Sequence, residues 1–252
     1  MTFLRSALYQ LILVIVVVPY CGLVLATFPL SRLARWKVVA GWPQFALWLA
    51  RHLLGIEYEV IGSDNIPCTP TVILSKHQSA WETIAYTSIF PPHVYVLKRE
   101  LFWIPFLGWG LALMSPIAID RSRGKKAMRR MIALGGERLA QGFSIMVYPE
   151  GTRIAVGQRG TYKLGGAILA VQNGVSVLPV AHNAGLVWPR NSFVKHPGKV
   201  TVVIGKPIDT RGRTADEVMG QVEDWIEGQM ATLTPAARPT DASNATRTAI
   251  QG

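Results

Sequence analysis

The chain predicts an α/β fold: a mixed, largely parallel sheet flanked by helices, preceded by an N-terminal membrane-associated helical segment. Three observations lead there. From Glu57 onward, short β-rich runs alternate with helix-like stretches. Ahead of that point the chain is apolar and rich in tryptophan. A histidine and a carboxylate then fall where a strand gives way to a helix, at the carboxyl edge of a sheet where α/β folds gather their sites.

The first element is a run with no charge between Arg5 and Arg32, almost wholly apolar from Leu11 to Leu30. Twenty helical residues at about 1.5 Å each reach roughly 30 Å, the thickness of a hydrocarbon core. Pro19 and Gly22 interrupt it, so a kinked or re-entrant helix fits as well as a straight span. A signal peptide fits less well, because no A-x-A site follows the apolar run. Arg32, Arg35 and Lys37 come next and place positive charge at a cytoplasmic membrane edge. Trp36, Trp42 and Trp48 recur in a second apolar segment ending near Leu54, which suits an interfacial helix or a core helix of the following domain.

Strands are expected at 58–61, 71–75, 94–98, 116–120, 144–148, 175–181 and 200–205, with helices at 81–89, 123–141 and 165–172. Such alternation implies a sheet covered on both faces. Thr214 with Glu217 reads as a capping box opening a last helix to Met230. The remainder is rich in Thr, Ala and Pro and is expected to be disordered. The division is therefore 1–55 (membrane-associated helices), 56–230 (the α/β domain) and 231–252 (the tail).

Composition narrows the partners. Of 252 residues, 50% are hydrophobic and only 16% charged, against about a quarter charged in soluble domains. Lys and Arg outnumber Asp and Glu by 26 to 15, a net charge of +11 that favours an acidic lipid surface, a phosphorylated substrate or nucleic acid. No nucleic-acid motif is present, and the apolar N-terminus argues against that partner. Cys21 and Cys68 make neither a disulfide framework nor a metal pair, so a reducing compartment is the default. His52, His93, His182 and His196 lack metal spacing, and no P-loop occurs, so no metal or cofactor is expected.

Two motifs carry the chemistry. In His77-Gln78-Ser79-Ala80-Trp81-Glu82, positions five apart would sit roughly 140° apart on one helix. They meet only if His77 precedes the helix and Glu82 reaches back from its first turns. Glu82 would then accept from one imidazole nitrogen and leave the other to take a proton. Alone, the pair also fits a surface histidine near a helix start. In Tyr148-Pro149-Glu150-Gly151-Thr152-Arg153, Gly151 permits a tight turn whose amides could form an anion nest. Arg153 offers a planar fork of donors suited to phosphate. Lys163 opens the next helix as a possible second cation. Between the motifs, Lys98 and Arg99 lead into the aromatic and apolar stretch 100–110, which fits a headgroup site beside a chain slot or a core helix after a charged loop. Arg121, Arg123, Lys125, Lys126, Arg129 and Arg130 suit an anionic leaflet, the phosphates of coenzyme A or a solvated helix face.

Over roughly 71–205 the sequence resembles the 1-acyl-sn-glycerol-3-phosphate acyltransferase family, also called lysophosphatidic acid acyltransferases. Four blocks stand in family order: His77 to Glu82, Lys98 to Gly110, the Glu-Gly-Thr-Arg block at Tyr148 to Arg153, and Val177-Leu178-Pro179-Val180. The family's usual acid is Asp, whereas Glu82 stands here, and Tyr148 replaces the commoner Phe. The Glu also leaves room for lipid A-type and ornithine-lipid acyltransferases. The resemblance implies an acyltransferase domain held on the cytoplasmic side of the inner membrane. By it, His77 and Glu82 are catalytic, and Lys98, Arg99, Glu150, Gly151, Thr152 and Arg153 bind substrate. The partners implied are lysophosphatidic acid, membrane lipid, and acyl-coenzyme A or acyl carrier protein as donor. A non-catalytic lipid-binding protein is the competing class.

Overall fold

The computed structural model describes residues 1–103, 107–120 and 124–234. Three helices lead: α1 (Thr2–Ala26), α2 (Arg32–Val39) and α3 (Gly41–Leu49), the last running into a π-helical turn, Ala50–Leu54. The strands β1 (Ile56–Ile61), β2 (Val72–Ser75), β3 (His93–Lys98), β4 (Ile117–Ile119), β5 (Ser144–Val147), β6 (Val177–His182) and β7 (Gly198–Ile204) follow. The remaining helices are α4 (Trp81–Ile89), α5 (Leu107–Leu113), α6 (Gly124–Ala140), α7 (Gly165–Asn173) and α8 (Ala215–Leu233). Every expected strand and helix has its counterpart within two or three residues, the uncertainty of any helix or strand end.

The strands form one sheet in the order β1-β7-β6-β2-β5-β3-β4. Pairing is parallel throughout except between β6 and β7, so the sheet is mixed but mostly parallel. Its central strands are buried on both faces. Ile73, Met146 and Leu178 point into one core, together with Tyr9 of α1, Ala46 of α3 and Trp81 of α4. Their neighbours Leu74, Ile145 and Val177 point into the other, with Met131 of α6, Leu169 of α7 and Val222 of α8. Successive side chains on a strand face opposite ways, so an uninterrupted apolar run is what a doubly covered strand requires.

Pro19 leaves α1 a continuous helix. Its buried residues, Ser6, Tyr9, Leu13, Cys21 and Val24, with half-buried Val16, Val17 and Tyr20 between Leu13 and Cys21, form a stripe against the domain. Tyr9 donates its hydroxyl to Ala46 O at 3.1 Å, the Ser6 hydroxyl accepts from Lys195 N at 3.0 Å, and the Tyr20 hydroxyl donates to Val38 O. The opposite face leaves Phe3, Leu4, Leu8, Leu11, Ile15 and Val18 exposed. By length and composition α1 could cross a membrane, and its buried residues share a core with the sheet. At the other end, Thr214 and Glu217 form the expected capping box at the start of α8, which runs three residues beyond Met230. The disordered tail is expected from 231, but residues 231–233 belong to α8, and 235–252 fall outside the described residues.

Candidate active site

Strands β2 and β5 are neighbours, with Leu74 paired to Val147, so the chain leaving each strand runs beside the other. Lys76 and His77 follow β2, and Tyr148 to Arg153 follow β5. The two motifs therefore meet at the carboxyl edge of the sheet. The His77 N–H donates to Glu150 Oε2 at 2.9 Å, and the His77 carbonyl accepts from Ile154 N at 2.8 Å.

His77 precedes α4 and Glu82 stands on its first turn. The Glu82 carboxylate reaches back, with Oε1 accepting from His77 Nδ1 at 2.8 Å, Ser79 N at 2.8 Å and Gln78 N at 3.0 Å. The Ser79 hydroxyl in turn accepts from Trp81 N at 3.1 Å. Glu82 thus satisfies the backbone N–H groups of Gln78 and Ser79 just ahead of α4, and the Ser79 hydroxyl takes that of Trp81. Burial alone would raise the Glu82 carboxyl, but the imidazoles of His182 and His77 and the Ser79 N–H outweigh it, and the pKa lies below its usual value. Burial drives His182 itself toward its neutral form. The lasting support for the Glu82 anion therefore comes from the His77, Gln78 and Ser79 donors. An ionised carboxylate only accepts, so Nδ1 of His77 carries a proton, and in the neutral ring the lone pair is on Nε2. The ring is fixed further by stacking on Tyr148, with centroids 3.9 Å apart and planes 14° from parallel.

His77 lines a cavity of roughly 710 Å³, within the usual range for small-molecule sites. Val17, Tyr20, Cys21 and Val24 of α1 form one wall, and Ala127, Met128 and Met131 of α6 another. Three cations, Lys98, Arg153 and Lys163, share the lining, and among the described residues no carboxylate does. The lining is thus mainly apolar, with three cations and one imidazole among it. Among the described residues no group of three His, Cys, Asp or Glu side chains is gathered to hold a metal.

The other expected site residues divide. Lys98, at the end of β3, and Gly151 and Arg153 line the cavity. Arg99 and Thr152 are exposed and lie outside the lining. Glu150 turns away: its carboxylate is buried, with Oε1 at 2.7 Å from Lys76 Nζ and Oε2 on the His77 N–H. Its contacts are with the chain that carries His77. Burial outweighs the Lys76 ammonium and lifts the Glu150 carboxyl above its ordinary value. Gly151 has φ +69°, as a tight turn requires, but its N–H donates to Tyr148 O at 3.0 Å and closes that turn. Lys125, Lys126, Arg129 and Arg130 are exposed on α6, whereas Arg121, Arg123 and 104–106 lie outside the described residues.

Two buried residues escaped the reading of motifs. Lys76 is fully buried between Glu150 at 2.7 Å and Glu227 of α8 at 2.8 Å, and the Tyr162 hydroxyl donates to the same Glu227 oxygen at 2.7 Å. His182, at the end of β6, lies 4.0 Å from Glu82 Oε1. A lysine beside a histidine reads as a surface charge, and its second partner is remote in sequence. The Ser79/Glu82 spacing was the one local signal left unused.

A family model described as Acyltransferase matches residues 57–183, half of the chain. A 1-acyl-sn-glycerol-3-phosphate acyltransferase of Pseudomonas aeruginosa is 48% identical over 206 residues, 80% of either chain. The alpha form from Mus musculus is 32% identical over 188 residues, 73% of this chain and 66% of its own. The crystal structure of the 1-acyl-sn-glycerophosphate acyltransferase from Thermotoga maritima matches with a TM-score of 0.77 and 25% identity, covering 92% of this chain and 95% of that one. The shared sequence and the shared sheet agree, and the chain belongs to the 1-acyl-sn-glycerol-3-phosphate acyltransferase family.

Proposed function

We propose that this protein transfers a fatty acyl chain from acyl-coenzyme A or acyl carrier protein to the sn-2 hydroxyl of 1-acyl-glycerol 3-phosphate, giving phosphatidic acid. The observation that carries the reading is a single apolar cavity shared by an oriented imidazole and three cations. His77 Nε2 takes the proton of the acceptor hydroxyl as its oxygen attacks the thioester carbonyl. A C–O bond forms, the C–S bond of the tetrahedral intermediate breaks, and the proton passes from His77 to the departing thiolate. Glu82 holds the tautomer and balances the imidazolium. Arg153, with Lys98 and Lys163, grips the phosphate, and the apolar walls take acyl chain. The acceptor hydroxyl is the nucleophile, so the scheme calls for no acyl-enzyme and no cofactor beyond the thioester substrate.

The membrane attachment follows from α1. Its inner stripe is engaged with the domain from Ser6 to Val24, so immersion of the outer face in one leaflet suits it better than a full crossing. Arg32, Arg35 and Lys37 then lie at headgroup level on the cytoplasmic side of the inner membrane. Purified protein given lysophosphatidate and an acyl thioester in mixed micelles should release free thiol. Equal release by His77→Ala would end this reading.

A further inference from the structure

The peptide joining Lys76 to His77 is gripped at both ends by buried side chains from other strands. Its N–H, on His77, donates to Glu150 Oε2 at 2.9 Å, beyond β5. Its carbonyl, on Lys76, accepts from His182 Nε2 at 2.9 Å, at the end of β6. The tautomer of His182 follows from its two contacts. A carbonyl only accepts, so Nε2 carries the proton, while Nδ1 accepts the Ala184 N–H at 3.2 Å. Both ring nitrogens are thereby spent inside the protein, on a side chain with no exposed surface.

We infer that His182 is a positioning residue for acyl transfer, fixing through its Nε2–H the plane of the peptide that carries His77. The inference rests on His77 being the base. A peptide plane free to rock about the Cα atoms of Lys76 and His77 swings the His77 Cβ, and with it Nε2, relative to the acceptor hydroxyl. Displacements of about 1 Å at a reacting atom cost on the order of 100-fold in rate. Glu150 holds the N–H edge of the plane; at the other edge the Lys76 carbonyl accepts from the adjacent Ser75 hydroxyl and from His182 Nε2, at 2.9 Å each, and of these two only His182 ties the plane to another strand. His182 serves no phosphate or chain directly, since it does not line the cavity. Its closeness to Glu82, 4.0 Å, brings no hydrogen bond, because Nε2–H is already given to Lys76 O.

Paired substitutions separate this role from mere filling of space. In His182→Gln the side-chain amide nitrogen reaches the region of Nε2 and keeps a donor for Lys76 O. In His182→Asn the shorter chain can accept the Ala184 N–H but falls short of that carbonyl. The Gln variant is expected to keep kcat within about threefold of the parent, and the Asn variant to lose on the order of 10- to 100-fold in kcat at unchanged KM for both substrates. A smaller active fraction would give the same kcat pattern, so the second readout is the side-chain resonance of His77 in 15N-histidine-labelled protein. Its Nδ1 proton should shift in Asn and return in Gln. Full activity in the Asn variant, equal loss in both, or lost activity with an unmoved His77 resonance would overturn the inference. His77→Ala run alongside keeps the cases apart: if it remains active, the underlying base assignment fails, whereas an inactive His77→Ala with an active His182→Asn removes the positioning role alone.

Discussion

The peptide nitrogen of His77 lies 2.9 Å from Glu150 Oε2, so a residue of one motif holds the backbone of the other. Glu150 and Arg153 stand three apart yet face opposite ways, one into the protein and one into the cavity. Their substitutions should therefore differ in kind. Arg153→Ala removes a charge-assisted bond of about 1.5–3 kcal/mol and should raise KM for lysophosphatidate roughly 10- to 100-fold, with little change for the thioester. Glu150→Gln should lower kcat at nearly constant acceptor KM. Steady-state kinetics with each substrate varied in turn tests both, and matching profiles would refute the division.

His77→Ala should cost on the order of 10²–10⁴ in kcat through loss of the base. Glu82→Gln can keep an amide oxygen on the three N–H groups that meet at Oε1 but has no charge to balance the imidazolium, and it should also lower kcat. If Glu82→Gln turned over like the parent, the carboxylate's charge would have no part in the reaction.

Lys76→Met should destabilise the fold by about 3–5 kcal/mol, because it leaves Glu150 and Glu227 facing each other without their cation. Adding Glu227→Gln should recover part of that loss. A double-mutant cycle in thermal or denaturant unfolding measures it, and simple additivity would mean the three charges are not coupled.

Acid should weaken the fold before the carboxylates titrate. His93 is fully buried, its Nδ1–H donating to Pro91 O at 2.9 Å, and burial holds its pKa down to about 4 from 6.5. Between those values the unfolded chain carries a proton that the folded chain refuses, so the His93 contribution is complete above pH 6.5. It is lost as pH falls toward 4, by about 3 kcal/mol in all. His182, shifted the same way, adds to the slope. Unfolding free energy measured from pH 7 to 4 should fall less steeply in His93→Phe, and an unchanged slope would exclude this source.

Membrane binding should depend on the outer face of α1. Leu4, Leu11 and Ile15 are 70%, 56% and 60% exposed. Each full burial of such a side chain is worth about 1.5–3 kcal/mol. Changing all three to Ser should abolish co-sedimentation with anionic vesicles while leaving detergent-micelle activity within severalfold. Undiminished vesicle binding would place the contact elsewhere.

The strands were legible because a doubly covered sheet needs unbroken apolar runs, and Val72, Ile73 and Leu74 supply one. The meeting of His77 with Glu82 was legible from spacing, since a local chain geometry governs it. What lay hidden depends on contacts distant in sequence. Lys76 finds Glu227 only once α8 packs beside β6, and His182 finds the Lys76 carbonyl only through the pairing of β6 with β2. Glu150 was misplaced for a related reason. Residues along a tight turn alternate in direction, and which ones face inward is decided by the neighbouring strand.

Val17, Tyr20, Cys21 and Val24 give α1 a second duty, since they close one side of the chamber that His77 overlooks. Anyone trimming the first thirty residues to obtain a detergent-free preparation would be dismantling the reaction vessel along with its mooring. What survived would present the greasy linings of Met128, Met131 and Trp42 to water, and would clump before it could be assayed.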